Sequence, residues 1–166
     1  MTIAFEDTTN NFNANFAASA VDGTDDTLTV ALEEAGASTR AVAFTIDNGN
    51  VFEDLVVASC GSVENFVDVS NAGTGVETID VNGAAAVEIT AVNTTSLTAF
   101  DASGNQGGVT VSADLSGAAS GLSVTGSSAN DDIQINAIDD ADTVDLGDGD
   151  ADVLAINSAN ANPADE

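Results

Sequence analysis

The stretch that decides the fold is residues 126–156, which read GSSANDDIQINAIDDADTVDLGDGDADVLAI. It alternates turns rich in Asp and small residues with short apolar strands. Asp131, Asp142 and Asp152 anchor the turns at nearly equal spacing along the chain. Each strand places two apolar side chains on one face, because side chains alternate along a strand. This regular spacing is typical of the half-turns of a parallel β-solenoid.

The segments GSSANDDI, AIDDADTV and GDGDADVL resemble degenerate copies of the RTX nonapeptide G-G-x-G-x-D-x-U-x. Asp131, Asp142 and Asp152 fall on its aspartate, while several of its glycines are replaced by Ser, Ala, Ile or Asp. Residues 97–128 resemble the strand repeats of bacterial surface-layer proteins and large secreted adhesins. The resemblance implies calcium binding at the turns and export without a cleaved N-terminal signal. Because lattice proteins, adhesins, proteases and lipases share this architecture, it does not fix the function.

Coils of about 20 residues predict where the acidic turns meet. The turn at 126–132 would lie beside the turn at 147–152, and two such loops can offer the roughly six to eight oxygen ligands that Ca²⁺ takes. We expect the ligands to be Asn130, Asp131, Asp148, Asp150 and Asp152. The turn with Asp140 and Asp142 falls on the opposite edge beside residues 116–121, which carry no acid, so any site there would be weaker or completed by another molecule. The alternative is that Asp and Asn only bond their own backbone as turn residues.

The charge of the chain is extreme. It has 28 acidic residues and a single basic one, Arg40, which gives a formal net charge of −27 over 166 residues. Nucleic acid and anionic membranes are poor partners, because binding to either depends on Lys and Arg that meet phosphate. Repulsion among the carboxylates is relieved by salt and by bound cations. Metal ions, Ca²⁺ above all, are therefore the expected counter-charge.

Most of the side chains that carry enzyme chemistry are missing. The chain has no His, Trp or Tyr, and its one basic residue is Arg40, so neither a hydrolytic triad nor a Schiff base can be built. Paired carboxylates can split glycosidic bonds, but sugar clefts normally use aromatic platforms, and Phe is the only aromatic residue present. We therefore expect a protein that is not an enzyme.

The sequence shows neither a membrane span nor a cleavable leader. It has no apolar run of about 18 residues. The start, MTIAFEDTTNNFNANF, lacks the basic and apolar regions of a signal peptide. An extracellular or cell-surface location would then require export without such a signal. Cys60, in the context VVASCGSV, is expected to be a buried and inert thiol.

The composition changes after Gly61, where Gly, Ser, Thr and Asn become more frequent. Residues 1–60 are expected to hold a polar arm over residues 1–20, which show no clear period, and an antiparallel β-meander over residues 25–58. Alternating apolar residues and the hairpin signal Asn48-Gly49 predict the meander. Residues 61–166 carry short strands that recur at short and fairly regular steps, which favours a parallel β-solenoid (β-helix or β-roll) over a sandwich. The expected fold is all-β.

A solenoid without catalytic residues indicates a structural role. Its ends expose unpaired strand edges that must be capped or joined to neighbours. The N-terminal meander would cap one end, so the end after Ile156 is the expected assembly surface. We expect an extracellular protein that forms homopolymers, as a surface layer, filament or biofilm-type matrix stabilised by calcium. Two alternatives remain open: a monomeric adhesion module that binds cell-surface carbohydrate, and a virion decoration or fibre protein.

Overall fold

The computed structural model describes residues 1–14, 21, 23, 25–46, 52–70, 72, 75–92, 95–115, 121–136, 138 and 141–157. Over these residues the chain is all-β and forms two parallel sheets of seven strands each. The first sheet contains β1 (Thr2–Glu6), β3 (Thr27–Glu33), β5 (Asp54–Cys60), β7 (Thr78–Gly83), β9 (Ala99–Asn105), β11 (Ser123–Thr125) and β13 (Thr143–Asp145). The second contains β2 (Phe12–Ala14), β4 (Val42–Ile46), β6 (Asn65–Asp68), β8 (Val87–Ala91), β10 (Val109–Leu115), β12 (Asp132–Ile135) and β14 (Val153–Ile156).

The chain crosses between the two sheets after every strand, and each strand pairs with the strand of the next coil. Each coil therefore has two strands, which confirms the predicted parallel β-solenoid. No helix in the described part of the chain is long and apolar enough to cross a membrane.

Alternation along each strand separates the core from the surface. In β5, Leu55 and Val57 are buried, while Val56 between them is only half-buried. In-register pairing then stacks equivalent positions into columns. The inner column of the first sheet is Leu28, Leu55, Ile79, Phe100, Val124 and Val144. The facing column of the second sheet is Val42, Val67, Ile89, Val111, Ile133 and Leu154. Both belong to one continuous hydrophobic core.

The coils are longer at the N-terminal end of the solenoid than at its C-terminal end. Thr2 of β1 pairs with Thr29, 27 positions later, whereas Val124 of β11 pairs with Val144, only 20 positions later. The coil length of about 20 residues, predicted from the spacing of the acidic turns, is therefore found at the C-terminal end. Earlier coils carry longer connections between their strands.

Two glycines lie at points of close contact between adjacent coils. Gly83 has a φ of 112°, and a Cβ at this position would lie 2.0 Å from the carbonyl oxygen of Ser59. Gly147 has a φ of 82°, and its Cβ would lie 2.0 Å from the carbonyl oxygen of Ser127. Any other residue would be strained at this φ and would also collide with the preceding coil. These glycines therefore permit the close spacing of the coils.

The predicted antiparallel meander over residues 25–58 is wrong. β3 pairs with β5, and β4 pairs with β2 and β6, always in parallel. The signal Asn48-Gly49 lies outside the described residues, but the strands that it would join, β4 and β5, belong to different sheets. Alternation with a period of two is common to both pairing directions, so it could not identify the partner. The division at residue 60 stays a prediction, although β5 pairs with β7 beyond it.

Two further sequence predictions concern the arm over residues 1–20 and the burial of Cys60. The arm predicted over residues 1–20 contributes β1 and β2, which are end strands of the two sheets, and residues 15–20 lie outside the described part. The expectation that Cys60 is buried is wrong, because its thiol is exposed. Since Leu55, Val57 and Ser59 face the core, alternation turns Cys60 outward, in register with Glu33.

Replacing Val57 by Ala should lower the free energy of unfolding by about 2 kcal/mol, because two methyl groups leave a fully buried site. The matched control is Val56→Ala, the same change one position away on the half-buried outer face, and its cost should be clearly smaller. Urea unfolding of both variants measures the difference. An equal or reversed effect would contradict the inward direction of Val57.

Candidate functional site at the acidic turns

The acidic turns of the last two coils lie side by side. Residues 126–131 connect β11 to β12, and residues 146–152 connect β13 to β14. The backbone amides of Asp150 and Ala151 both donate hydrogen bonds to Oδ1 of Asn130, at 3.1 Å each. The predicted contact between these two turns is therefore confirmed.

Asp131 is buried at the centre of this contact, with 2% of its surface exposed. Its Oδ1 accepts hydrogen bonds from the amide of Val109 at 2.7 Å and from the hydroxyl of Ser127 at 2.8 Å. Its Oδ2 accepts from the amide of Ser127 at 2.7 Å. Hydrogen bonds to an ionised acceptor are among the strongest in proteins, so these three compensate for the burial of the carboxylate.

The three aspartates at the RTX-like motif position make one common contact. Oδ1 of Asp131 accepts from the amide of Val109, 22 positions earlier, and Oδ1 of Asp152 accepts from the amide of Asp131, 21 positions earlier. On the opposite edge, Oδ1 of Asp142 accepts from the amide of Leu122, 20 positions earlier, at 2.7 Å. Each carboxylate therefore ties its coil to the coil before it. We call Asp131, Asp142 and Asp152 the aspartate ladder.

Two buried asparagines, which the sequence analysis missed, act in a related way. Oδ1 of Asn65 accepts from the amide of Ala35 in the preceding coil at 2.7 Å, and its Nδ2 donates to the hydroxyl of Ser59 at 2.9 Å. Nδ2 of Asn105 donates to the carbonyl of Ala85 at 3.1 Å. Among the described residues, every buried side-chain nitrogen and oxygen has a hydrogen-bond partner. The only signal in the sequence was an amide side chain next to the end of a strand.

The ladder bonds use oxygens that calcium would need. Ca²⁺ takes roughly six to eight oxygen ligands. In the described ranges, no three acidic or thiol side chains are close enough to share a metal ion. The predicted ligands divide into three groups. Asn130, Asp131, Asp142 and Asp152 each accept from a backbone amide, Asp148 and Asp150 are exposed, and Asp140 lies outside the described residues. Calcium ligation here stays a prediction, and an ion would have to share these oxygens with the backbone.

A second acidic feature lies on the outer face of the first sheet. Asp80 of β7 and Asp101 of β9 are in-register neighbours. Partial burial, and then repulsion from Asp101, raises the pKa of Asp80 against the opposing effect of a hydrogen bond with Asn82. Ionisation of Asp80 is therefore less favourable in the folded state than in the unfolded chain. On the other side of the molecule, partial burial and the nearby Glu88 raise the pKa of Glu64.

The chain was also compared with known proteins. No protein-family model, curated protein or solved structure matches it. Only its own geometry and charge therefore bear on what it does.

Replacing Asp131 by Ala should lower the free energy of unfolding by about 2–4 kcal/mol, because the buried amides of Val109 and Ser127 lose their acceptor. The measurement is urea unfolding in excess chelator, since the ladder bonds require no metal. Asp132→Ala, which removes an exposed carboxylate one residue away, should change stability by no more than about 0.5 kcal/mol. A loss for Asp131→Ala that appears only with calcium would instead assign Asp131 to ligation.

Lowering the pH should stabilise the fold through Asp80. Its folded-state pKa is raised above the ordinary value of 3.8, so the folded state binds the proton more tightly than the unfolded state. The unfolding free energy contributed by this group is therefore highest at low pH and falls as the pH rises above about 3.8. Asp80→Asn should raise the urea midpoint at pH 7, and its advantage over wild type should shrink towards pH 4.

The control for Asp80→Asn is Asp132→Asn. It removes the same charge from an exposed strand position whose in-register neighbours are Thr110 and Val153. Its stabilisation should be smaller. Equal gains for both variants would mean that total charge, and not the Asp80 and Asp101 pair, sets the pH dependence.

Proposed function

We propose that the protein is an extracellular structural unit that self-associates into a surface layer, filament or biofilm-type matrix. The observation that carries this proposal is that the two sheets begin at the same end of the solenoid and finish at the same opposite end. Among the described strands, β1 and β2 lie at one end of their sheets, and β13 and β14 lie at the other. Each end therefore presents two strand edges with backbone groups that can pair with another chain.

In the part of the chain that the structure describes, the core is also less well covered at the C-terminal end. Ile135 is 1% exposed, whereas Ile156, its in-register partner in the last coil, is 47% exposed. Leu154, which stacks on the buried Ile133, is only partly buried against the core, and Val153 is 48% exposed on the outer face. Association that covers this end would bury apolar surface, which is the main favourable term in most protein–protein contacts.

Calcium enters this proposal as a counter-charge to the last coil. Residues 141–157 contain five aspartates and no basic residue: Asp142, Asp145, Asp148, Asp150 and Asp152. Contact between copies of a chain with a net charge of −27 brings these acids closer to other acids. Divalent cations at the exposed Asp148 and Asp150 would reduce that repulsion. The ladder bonds require no ion, so they favour calcium-dependent association over calcium-dependent folding.

A monomeric adhesion module is the second candidate. The outer face of the first sheet carries a column of small, mostly polar side chains, which is Thr27, Asp54, Thr78, Ala99, Ser123 and Thr143. In this column the Thr78 hydroxyl donates to Oδ1 of Asp54 at 2.5 Å. A flat row of hydroxyl and carboxylate groups is chemically suited to hydrogen bonding with cell-surface carbohydrate. In that case the protein would stay monomeric in calcium.

The mass of chelator-stripped protein should rise when calcium is titrated to millimolar levels, and light scattering measures it. Magnesium at equal ionic strength should be less effective, because it keeps its hydration water more firmly. If calcium acts by neutralising these two carboxylates, the double variant Asp148→Asn with Asp150→Asn should associate at a lower calcium concentration than wild type. The control pair Glu64→Gln with Asp101→Asn removes two charges from the middle of the solenoid and should shift the calcium requirement less.

Three outcomes would contradict parts of this proposal. Loss of association in Asp148→Asn with Asp150→Asn would make these residues calcium ligands rather than a neutralised charge. Association that is complete in chelator would remove calcium from the mechanism. A monomer under all conditions would contradict self-association and favour the adhesion module.

A further inference from the structure

We propose that copies of this chain associate head to tail. The tail face, defined as β13, β14 and the turns beside them in the last coil, docks on the head face, defined as β1 and β2 of the first coil. This inference rests on the proposed self-association and specifies its two surfaces. It commits to a second copy of this chain as the partner of both faces.

The first argument is strand direction. Along the solenoid every strand pairs in parallel with the equivalent strand of the next coil, from β1 with β3 to β12 with β14. Moving a second copy along the solenoid axis would place its β13 beside the free edge of β1 and its β14 beside the free edge of β2. Both contacts would repeat the parallel pairing already present inside the chain. Head-to-tail contact therefore continues both sheets at once.

The second argument is shape. On the head face, Ile3, Phe5 and Phe12 line an open cavity of about 380 Å³, and Phe12 is 46% exposed. On the tail face, Ile156 lies on the core side of β14 and is 47% exposed, while Val153 lies on the outer side, in register with Asp132, and is 48% exposed. Insertion of Ile156 into the head-face cavity would cover apolar groups on both partners. Head-to-head contact would instead place one such cavity against another.

The third argument is charge. From the start of β13 to the end of β14 the tail face carries four aspartates, whereas the equivalent segment of the head face, from the start of β1 to the end of β2, carries only Glu6 and Asp7. Tail-to-tail contact would oppose two rows of four carboxylates, and like charges across an interface suppress association. Between these segments, head-to-tail contact opposes four carboxylates with two. Because it joins two different faces by a displacement along the solenoid axis, it does not close into a ring and produces open filaments.

The test uses variants that are each blocked at one face. Val153→Asp with Ile156→Asp blocks the tail face, and Phe12→Asp blocks the head face. All three residues are about half exposed, so the substitutions should leave the fold intact, which circular dichroism and the urea midpoint check. Phe12→Ser repeats the head block without an added charge. Each variant is measured by size-exclusion chromatography with light scattering, at the calcium concentration where wild type associates.

Each blocked variant alone should stay at its monomer mass of 16.4 kDa. An equimolar mixture of the two should double that mass and go no further, because the free head of one meets the free tail of the other. Dimers of the Phe12→Asp variant alone would show tail-to-tail contact, and dimers of the tail-blocked variant alone would show head-to-head contact. Either result overturns this inference.

Two further outcomes separate this inference from the proposed function. Large assemblies formed by each blocked variant alone would show lateral association, so self-association would stand and the head-to-tail contact would fall. A wild-type chain that stays monomeric under every condition would overturn both.

Discussion

The structure depends on the in-register parallel stacking of successive coils. Parallel pairing places each residue beside the equivalent residue of the next coil, so each strand position must suit a whole column. Apolar residues such as Leu28, Leu55 and Ile79 form inner columns for this reason. At the corners, backbone amides lie between coils where the strand pairing ends, and they require another acceptor. The aspartate ladder supplies that acceptor, which explains why Asp131 is buried in the turn between β11 and β12.

The same stacking also produces an electrostatic cost. In-register pairing stacks the outward-facing residues of successive coils, so Asp80 and Asp101 become direct neighbours. With one basic residue in the chain, such contacts cannot be offset by ion pairs along the surface. Counter-ions from the solvent must therefore do so, and the properties of this protein should follow ionic conditions more closely than those of a mixed-charge domain.

The sequence predicted those parts of the structure in which the repeat length was visible. In residues 126–156 each coil contains two acidic turns and little else between its strands, so the spacing of the aspartates itself encoded the contact between turns. In the first coils the connections are longer, as the pairing of Thr2 with Thr29 shows, and the repeat is hidden. Alternation alone does not distinguish parallel from antiparallel partners there.

Two features of the site had no such signal. The roles of Asn65 and Asn105 were missed because asparagine in a turn-rich sequence looks like an ordinary turn residue. Whether an aspartate oxygen accepts a hydrogen bond from a backbone amide or binds an ion depends on the offset between coils, which no sequence pattern specifies.

The difference in coil length, equally hidden in the sequence, also has a mechanical consequence. The hydrogen bonds between strands run across the strands, which in a solenoid is along the long axis. A force applied between the two ends of the molecule would therefore peel coils away one after another instead of shearing whole strands. Each coil that detaches would lengthen the chain by roughly 3.5 Å per residue, or about 95 Å for the first coil and about 70 Å for the last. A fibre of such molecules would yield in graded steps and dissipate work before it broke.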